Sequence, residues 1–208
     1  FKEEFSTCID FAQINGLECV SATNGGQQNF NAVMTLKSLG LSDYKHQDLS
    51  DAFASSILDT LTVIQSKIKS LEGIQRSQKM QCLYLYYNRS LRDISPLQHV
   101  KQTLRALRIE NCPKIEDFSV LGQLENLERL ELSGSNELPD LSFLKTMKNL
   151  KTFIFSVNVK NGDLSPCVDL SYVYSEKNRK HYNLKDIDLP KGQYVRGNET
   201  IEVWRRFE

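Results

Sequence analysis

The chain has no dominant sign of charge: across 208 residues, 26 Lys and Arg meet 26 Asp and Glu, for a formal net of zero. That balance excludes a global field drawing the protein to nucleic acid or an anionic membrane, so a nucleic-acid role would need a local patch. It also lacks any apolar run approaching the ~18–20 residues that cross a bilayer, so membrane insertion is not expected and the sequence reads as a soluble domain. Histidine is scarce, and His46, His99 and His181 stand outside metal-ligand spacing of one another and of every cysteine; no metal site is expected. The motifs GxSxG, GxxxxGK[ST], GxGxxG and HExxH are all missing. With them go the usual nucleophile elbow, phosphate cradles and zincin helix, and the sequence yields no catalytic residue, no cofactor and no expectation of an enzyme. Carboxylate pairs occur at Glu116-Asp117 and Asp186-Asp188, but they read as solvated loop residues.

The five cysteines, Cys8, Cys19, Cys82, Cys112 and Cys167, are odd in number and form no CxxC pair. At least one thiol is therefore free. Scattered this way they read as small buried hydrophobes of a reducing compartment, with Cys8 and Cys19 the nearest pair should one disulfide form. The cytoplasm is favoured on that ground, with the cell surface or secretion as the alternative. The first residue is Phe1 and no basic-then-apolar leader follows it, which reads as a start inside a longer product.

What the sequence does carry is a repeat. The template L-x-x-L-x-L-x-x-N lands on Met80-Leu83-Leu85-Asn88, Leu104-Leu107-Ile109-Cys112, Leu127-Leu130-Leu132-Ser135, Leu150-Phe153-Phe155-Asn158 and, more loosely, Leu170-Val173-Ser175-Asn178. Successive copies are shifted by 24, 23, 23 and 20 residues, inside the window of leucine-rich repeats. Leu91, Ile115 and Leu138 follow the Asn-like position, and Ile94-Leu97, Phe118-Leu121 and Leu141-Leu144 come after them. In a short strand, alternation turns the template's apolar residues inward, and one turn cannot bury that face until a neighbour stacks on it. An Asn at the strand's end can bond the backbone of adjacent turns. Cys112 and Ser135 are expected to do a weaker version of the same job, which gives Cys112 a structural role.

Two segments carry a closer resemblance. Ser70-Leu71-Glu72-Gly73-Ile74-Gln75 and Leu91-Arg92-Asp93-Ile94-Ser95-Pro96-Leu97 look like the S-L-E-G-I-x and I-x-D-I-S-P-L segments of the bacterial internalin-like leucine-rich repeat proteins. The likeness covers roughly residues 29–165 and is strong over 68–150. That family's repeats are usually a uniform 22 residues, against 23–24 here, and Cys112-Pro113 is closer to other leucine-rich repeats. The resemblance implies an α/β leucine-rich repeat solenoid with parallel strands on its concave face. It also implies a helical cap upstream, over Asn29 to Leu41 and Asp48-Leu49-Ser50-Asp51, and a role in protein recognition.

The ends depart from the repeat. Phe30, Val33, Met34 and Leu36 suit an amphipathic helix over 29–40, stopped at Gly40. A second helix is placed at about 51–59, before an opening strand at 61–64 with Ile68, Leu71 and Ile74 behind it. Residues 1–28 match no named motif and read as part of the cap. The stretch Glu176 to Asn183, at the last repeat, is locally basic and reads as a solvated turn or a contact for an anionic group. Gly192 to Arg196 and Thr200 to Phe207, around Gly197-Asn198, read as a hairpin-like cap. The organisation expected is thus an N-terminal cap over 1–60, repeats over 61–180 and a C-terminal cap over 181–208.

In this register the outward strand residues form stripes across the concave sheet. One is Tyr84, Arg108, Glu131, Ile154, Tyr174; beside it runs Tyr86, Glu110, Ser133, Ser156, Glu176; beyond lies Cys82, Ala106, Arg129, Thr152, Tyr172. Tyr and Arg are frequent interface anchors, and the balanced charge disfavours nucleic acid. The expected partner is another protein, contacted through Tyr84, Tyr86, Arg108, Glu110, Arg129, Glu131, Ile154, Tyr172 and Tyr174 of a chain favoured to be monomeric. Two alternatives are an intracellular inhibitor or immunity-type partner of a toxin or enzyme, and the regulatory segment of a larger enzyme.

Overall fold

The computed structural model describes residues 9–14, 16–23, 27–28 and 32–194. The strands are β1 (Ile9–Asp10), β2 (Cys19–Thr23), β3 (Gln27–Gln28), β4 (Ser38–Ser42), β5 (Thr60–Ile64), β6 (Cys82–Tyr86), β7 (Ala106–Glu110), β8 (Arg129–Ser133), β9 (Glu137–Leu138), β10 (Thr152–Phe155), β11 (Asn158–Val159) and β12 (Tyr172–Ser175). Eight of them form one parallel sheet in the order β2-β4-β5-β6-β7-β8-β10-β12, while β1 pairs with β3 and β9 with β11. Short 3-10 turns at Ile74–Arg76, Ser95–Val100, Ser119–Gln123, Ser142–Thr146 and Ser165–Cys167 return the chain along the opposite face. This is a leucine-rich repeat solenoid.

Register explains the core. Leu39, Leu61, Leu83, Leu107, Leu130, Phe153 and Val173 stand opposite one another across the ladder and are all buried. The back of the coil repeats the device: Leu71, Ile94, Phe118, Leu141 and Leu164, then Ile74, Leu97, Leu121, Leu144 and Cys167, fill the space under the sheet. Cys167 takes the place of a leucine there. Burial pushes the Cys112 thiol up to about 11 and the Cys167 thiol to about 12, so both are poor nucleophiles, whereas Cys19 is an exposed free thiol.

The expected helices at 29–40 and 51–59 are a correction. Among the described residues there is no α-helix, Ser38–Ser42 is strand β4, and the chain from 51 to 59 is turn and irregular backbone. Residues 29–31 lie outside the described residues. The physical reason is that Leu36, Leu39 and Leu41 occupy the same inward places as Leu58, Leu61 and Val63, so burial on the sheet overrides the helical period. Met34, assigned to the helix's apolar side, is exposed, and Gly40 sits within β4 rather than at a helix end. The expected opening strand is present as β5, but β4 and β2 precede it in the same sheet.

Two backbone columns turn each coil. Directly after a strand, Asp43, Gln65, Tyr87, Asn111 and Gly134 all adopt positive φ, between 48° and 129°. Left-handed backbone is costly for residues other than glycine, and the turn is held because each of the first four donates its N–H to the next coil: Asp43 to Ile64 O, Gln65 to Tyr86 O, Tyr87 to Glu110 O and Asn111 to Ser133 O. At the start of the back segments, Asp48, Asp93, Asp117, Asp140 and Asp163 each accept the N–H two residues on, from Ser50, Ser95, Ser119, Ser142 and Ser165, at 2.7–2.9 Å. In the coil between, Ser70 accepts from Glu72 N–H, and Gly73 at φ 99° lies where a Cβ would collide with the Leu49 and Ser50 backbone.

The aspartate column sets a pH limb. Serine hydroxyl and N–H donors hold Asp93, Asp117, Asp140 and Asp163 below the usual carboxylate range. Their contribution is therefore complete above the unfolded-state value near ~4 and lost as pH falls through the lower folded values. The urea midpoint is expected to be flat above about pH 5 and to drop below about pH 4. Replacing the four by Asn should flatten that acid limb.

The Asn-like column is the interior of Ser66, Asn88, Cys112, Asn136 and Val157. Asn88 accepts from Ser66 N–H at 3.0 Å and donates to Val63 O at 2.8 Å; Cys112 Sγ lies 3.9 Å from Leu85 O. Three template positions are corrected. Ser135 is exposed, because the turn at Gly134 holds one residue more and puts Asn136 inside, donating to Cys112 O and Ile115 O. Asn158 is half-buried and bonds Glu137 across the β9–β11 pair, leaving Val157 inward. Asn178 is exposed and accepts from Asp186 N–H.

At the far edge, Val173 N–H donates to Pro190 O and Gly192 N–H to Ser171 O, with Lys191 bridged antiparallel to Tyr172. The hairpin read from 192 to 207 lies, past Tyr194, outside the described residues.

Candidate functional site

The ladder fixes which side chains share the concave face. Tyr84 stands opposite Arg108, Arg108 opposite Glu131, Glu131 opposite Ile154 and Ile154 opposite Tyr174; Tyr86 faces Glu110; Ala106 faces Arg129, and Thr152 lies between Arg129 and Tyr172. All nine residues singled out from the sequence therefore lie on one surface. Their accessibility differs from the expectation of an exposed face: Tyr84, Arg129 and Glu131 are buried, Tyr86, Arg108, Glu110, Ile154 and Tyr172 are half-buried, and Tyr174 is exposed.

Charge explains part of that burial. Glu131 accepts from Arg129 Nε at 2.7 Å and from Arg129 Nη2, and its other oxygen lies 3.2 Å from Arg108 Nε. Arg108 Nη2 reaches Glu110 Oε2 at 2.7 Å. The result is a line of alternating charge, Glu110, Arg108, Glu131, Arg129, running across β7 and β8. Arg108 is secure in its charge: burial works against the guanidinium, but Tyr86, Glu131 and Glu110 outweigh it and its pKa is raised. Ion pairs this closely satisfied hold their side chains in one geometry, so little conformational freedom remains to be lost on binding.

Aromatic rings border the charges. Arg108 lies 5.1 Å from the centre of the Tyr86 ring, and Arg129 lies 5.0 Å from that of Tyr194. Tyr194 meets Tyr172 edge-on at 5.2 Å, and Lys191 lies 5.8 Å and 5.5 Å from the Tyr172 and Tyr174 rings. On β6 and β7 the outward Cys82, Tyr84 and Ala106 form a small apolar cluster separate from the main core, with Tyr86 packed on it. The sequence reading missed Tyr194 and Lys191 as members of this face. Tyr194 fell within the stretch Gly192 to Arg196 read as a hairpin arm, and Lys191, just before it, carried no signal.

The other candidates resolve into structure. Asp186 accepts from Ser175 N–H and Lys191, Asp188 from Lys185 N–H, and Asp117 from Ser119 N–H. In the basic stretch, Tyr182 is buried, His181 Nε2 lies 3.0 Å from Val159 O and Arg179 reaches Ser156 O, while Lys177 and Lys180 are exposed. Among the described residues no group of three His, Cys, Asp or Glu could hold a metal ion, and no helix is long and apolar enough to cross a membrane.

No family model and no curated protein matches the chain. Among solved structures that match is the crystal structure of an internalin (inlF) from Listeria monocytogenes str. 4b F2365. It is similar to this chain at 20% identity and a TM-score of 0.41, over 71% of this chain and 57% of that one. The chain thus spans somewhat over half the length of the internalin it matches.

Proposed function

We propose that the chain is a protein-recognition module that binds another protein through the concave face. The observation that carries this reading is the Glu110-Arg108-Glu131-Arg129 line, bordered by Tyr86, Tyr172 and Tyr174 on a parallel sheet. Arg and Tyr combine large contact area with directional hydrogen bonds, and interface hot spots are enriched in them. A face with both signs in fixed alternation selects a partner with the complementary pattern and rejects one with a single sign.

A photo-crosslinking residue placed in turn at Tyr174, on the concave face, and at His99, on the opposite surface, tests this in the source cell. One discrete protein adduct from position 174 and none from 99 is the expected result. An adduct formed from 99 alone would move the binding surface to the back of the coil.

A further inference from the structure

The zero net charge of the chain conceals a local excess. Residues 60–115, which form the coils of β5, β6 and β7, hold ten Lys and Arg against three Asp and Glu. Those three carboxylates are already engaged: Glu110 accepts from Arg108, Asp93 from the Ser70 and Ser95 hydroxyls, and Glu72 from Gln75. Apart from Arg108, the cations of these coils are exposed, and none of them forms an ion pair among the described residues. Four share one flank, on the turns that follow the strands. Lys67 and Lys69 border the buried Ile68, and Arg89 and Arg92 border the buried Leu91. The two turns are neighbours in the stack, since Ser66 N–H donates to Asn88 and Arg92 N–H donates to Lys69 O. Tyr87 joins this flank to the concave face: its φ of 56° turns the chain out of β6 directly after the outward Tyr86, and it is 41% exposed.

We infer that this flank is a second contact surface, which takes an acidic segment of the protein partner as it leaves the concave face over Tyr87. Cations without carboxylate partners attract a run of Asp and Glu, whereas the charges of the concave face already satisfy one another. At an exposed rim such attraction acts mainly on the rate of association, and salt screens it. A nucleic-acid strand fits this flank less well, because tracks for single strands set stacking rings among their cations. Here the residues between the cations, Ile68 and Leu91, are buried aliphatic ones. The inference rests on the concave face being the recognition surface, and it adds the partner's chemistry: an acidic stretch beside the groups that meet Tyr86 and Tyr174.

Two probes test it on the full chain: the protein captured from position 174, and a fluorescein-labelled dodecapeptide of alternating Asp and Glu. Each is titrated at low and at high salt against the parent, the triple variant Lys67→Gln, Arg89→Gln, Arg92→Gln, and the control Lys145→Gln, Lys148→Gln from exposed positions on a later coil. At low salt the triple variant should bind both probes at least about tenfold more weakly, the sum expected of three exposed ionic contacts, and the control should match the parent. The loss should lie mainly in the association rate, and high salt should bring parent and triple variant together. Circular dichroism verifies folding, and Arg92→Gln alone, with a loss of about threefold, keeps the test open should the triple variant unfold. Parental partner affinity in a folded variant, or a peptide that the parent does not bind, would overturn the inference. So would a single-stranded oligonucleotide held more tightly than the peptide and released by the triple variant. The concave reading fails separately: affinity lost in the triple variant but untouched by Tyr86→Ala, Tyr174→Ala removes the concave surface and leaves the flank, and the reverse pattern removes the flank alone.

Discussion

Phe153→Ala is expected to destabilise the chain by about 3–5 kcal/mol, the range for emptying a buried aromatic site. Phe153 is fully buried, stacked on Phe155 at 4.8 Å with 13° between the rings, and meets Phe143 edge-on at 6.5 Å. The same column holds Leu107 and Leu130 in the preceding coils and Val173 in the next. Losing the ring therefore strips contacts from both neighbours. In a stacked coil each turn is supported mainly by the adjacent ones, so the damage should concentrate in β10, β12 and the edge segment bonded to them. Urea unfolding should show a lower midpoint, and hydrogen exchange should show opening of residues 152–192 ahead of β5 to β7. Phe153→Leu, which restores the residue type of the column, should cost less than about 1.5 kcal/mol.

Asn88→Ala is expected to cost about 2–4 kcal/mol, and by a different mechanism. The amide accepts from Ser66 N–H and donates to Val63 O, both in the coil before it, and all of this is buried. Alanine removes little volume but leaves a donor and an acceptor without partners, at roughly 1–3 kcal/mol each. A later coil does the same job with a different side chain: Tyr182 Oη donates to Val157 O at 3.2 Å and accepts from Val159 N–H at 3.0 Å, again in the coil before its own. No such substitute reaches the Asn88 site among the described residues, so Asn88→Val should be as harmful as Asn88→Ala. Thermal unfolding of the three proteins checks the ranking.

The repeat was legible because its physics is periodic. Leu83, Leu107, Leu130, Phe153 and Val173 are aligned by the template, and the ladder pairs those same residues. Where the reading failed, a local exception outweighed the period. At 134–136 a left-handed glycine inserts one residue, so the inward amide is Asn136 and not Ser135. The upstream coils were concealed because Val33, Leu36 and Leu39 fit both a helix and a stacked strand, and intrinsic periodicity does not include the neighbour that decides. A signal was present nonetheless: Asp48-Leu49-Ser50 is the same aspartate-to-serine turn as Asp93-Ile94-Ser95 and Asp117-Phe118-Ser119, and it marks 48–50 as repeat. For the candidate site, alternation placed the nine side chains on one face. It could not give the burial of Tyr84, which packs with Cys82 and Ala106, or that of Arg129 and Glu131, where Glu131 also pairs with Arg108 across strands and Tyr194, distant in sequence, lies over Arg129.

The central claim is that the concave aromatic and charged face binds a protein partner. It is tested most directly by the affinity of the partner crosslinked at position 174 for the double variant Tyr86→Ala, Tyr174→Ala, with His99→Ala as the control. Neither tyrosine is buried, so the double variant should stay folded, with a thermal midpoint within a few degrees of the parent. The expected result is a dissociation constant raised at least about tenfold, or ~1.4 kcal/mol, in the double variant and unchanged in the control. An unchanged affinity in the folded double variant, or a loss confined to His99→Ala, would contradict the claim.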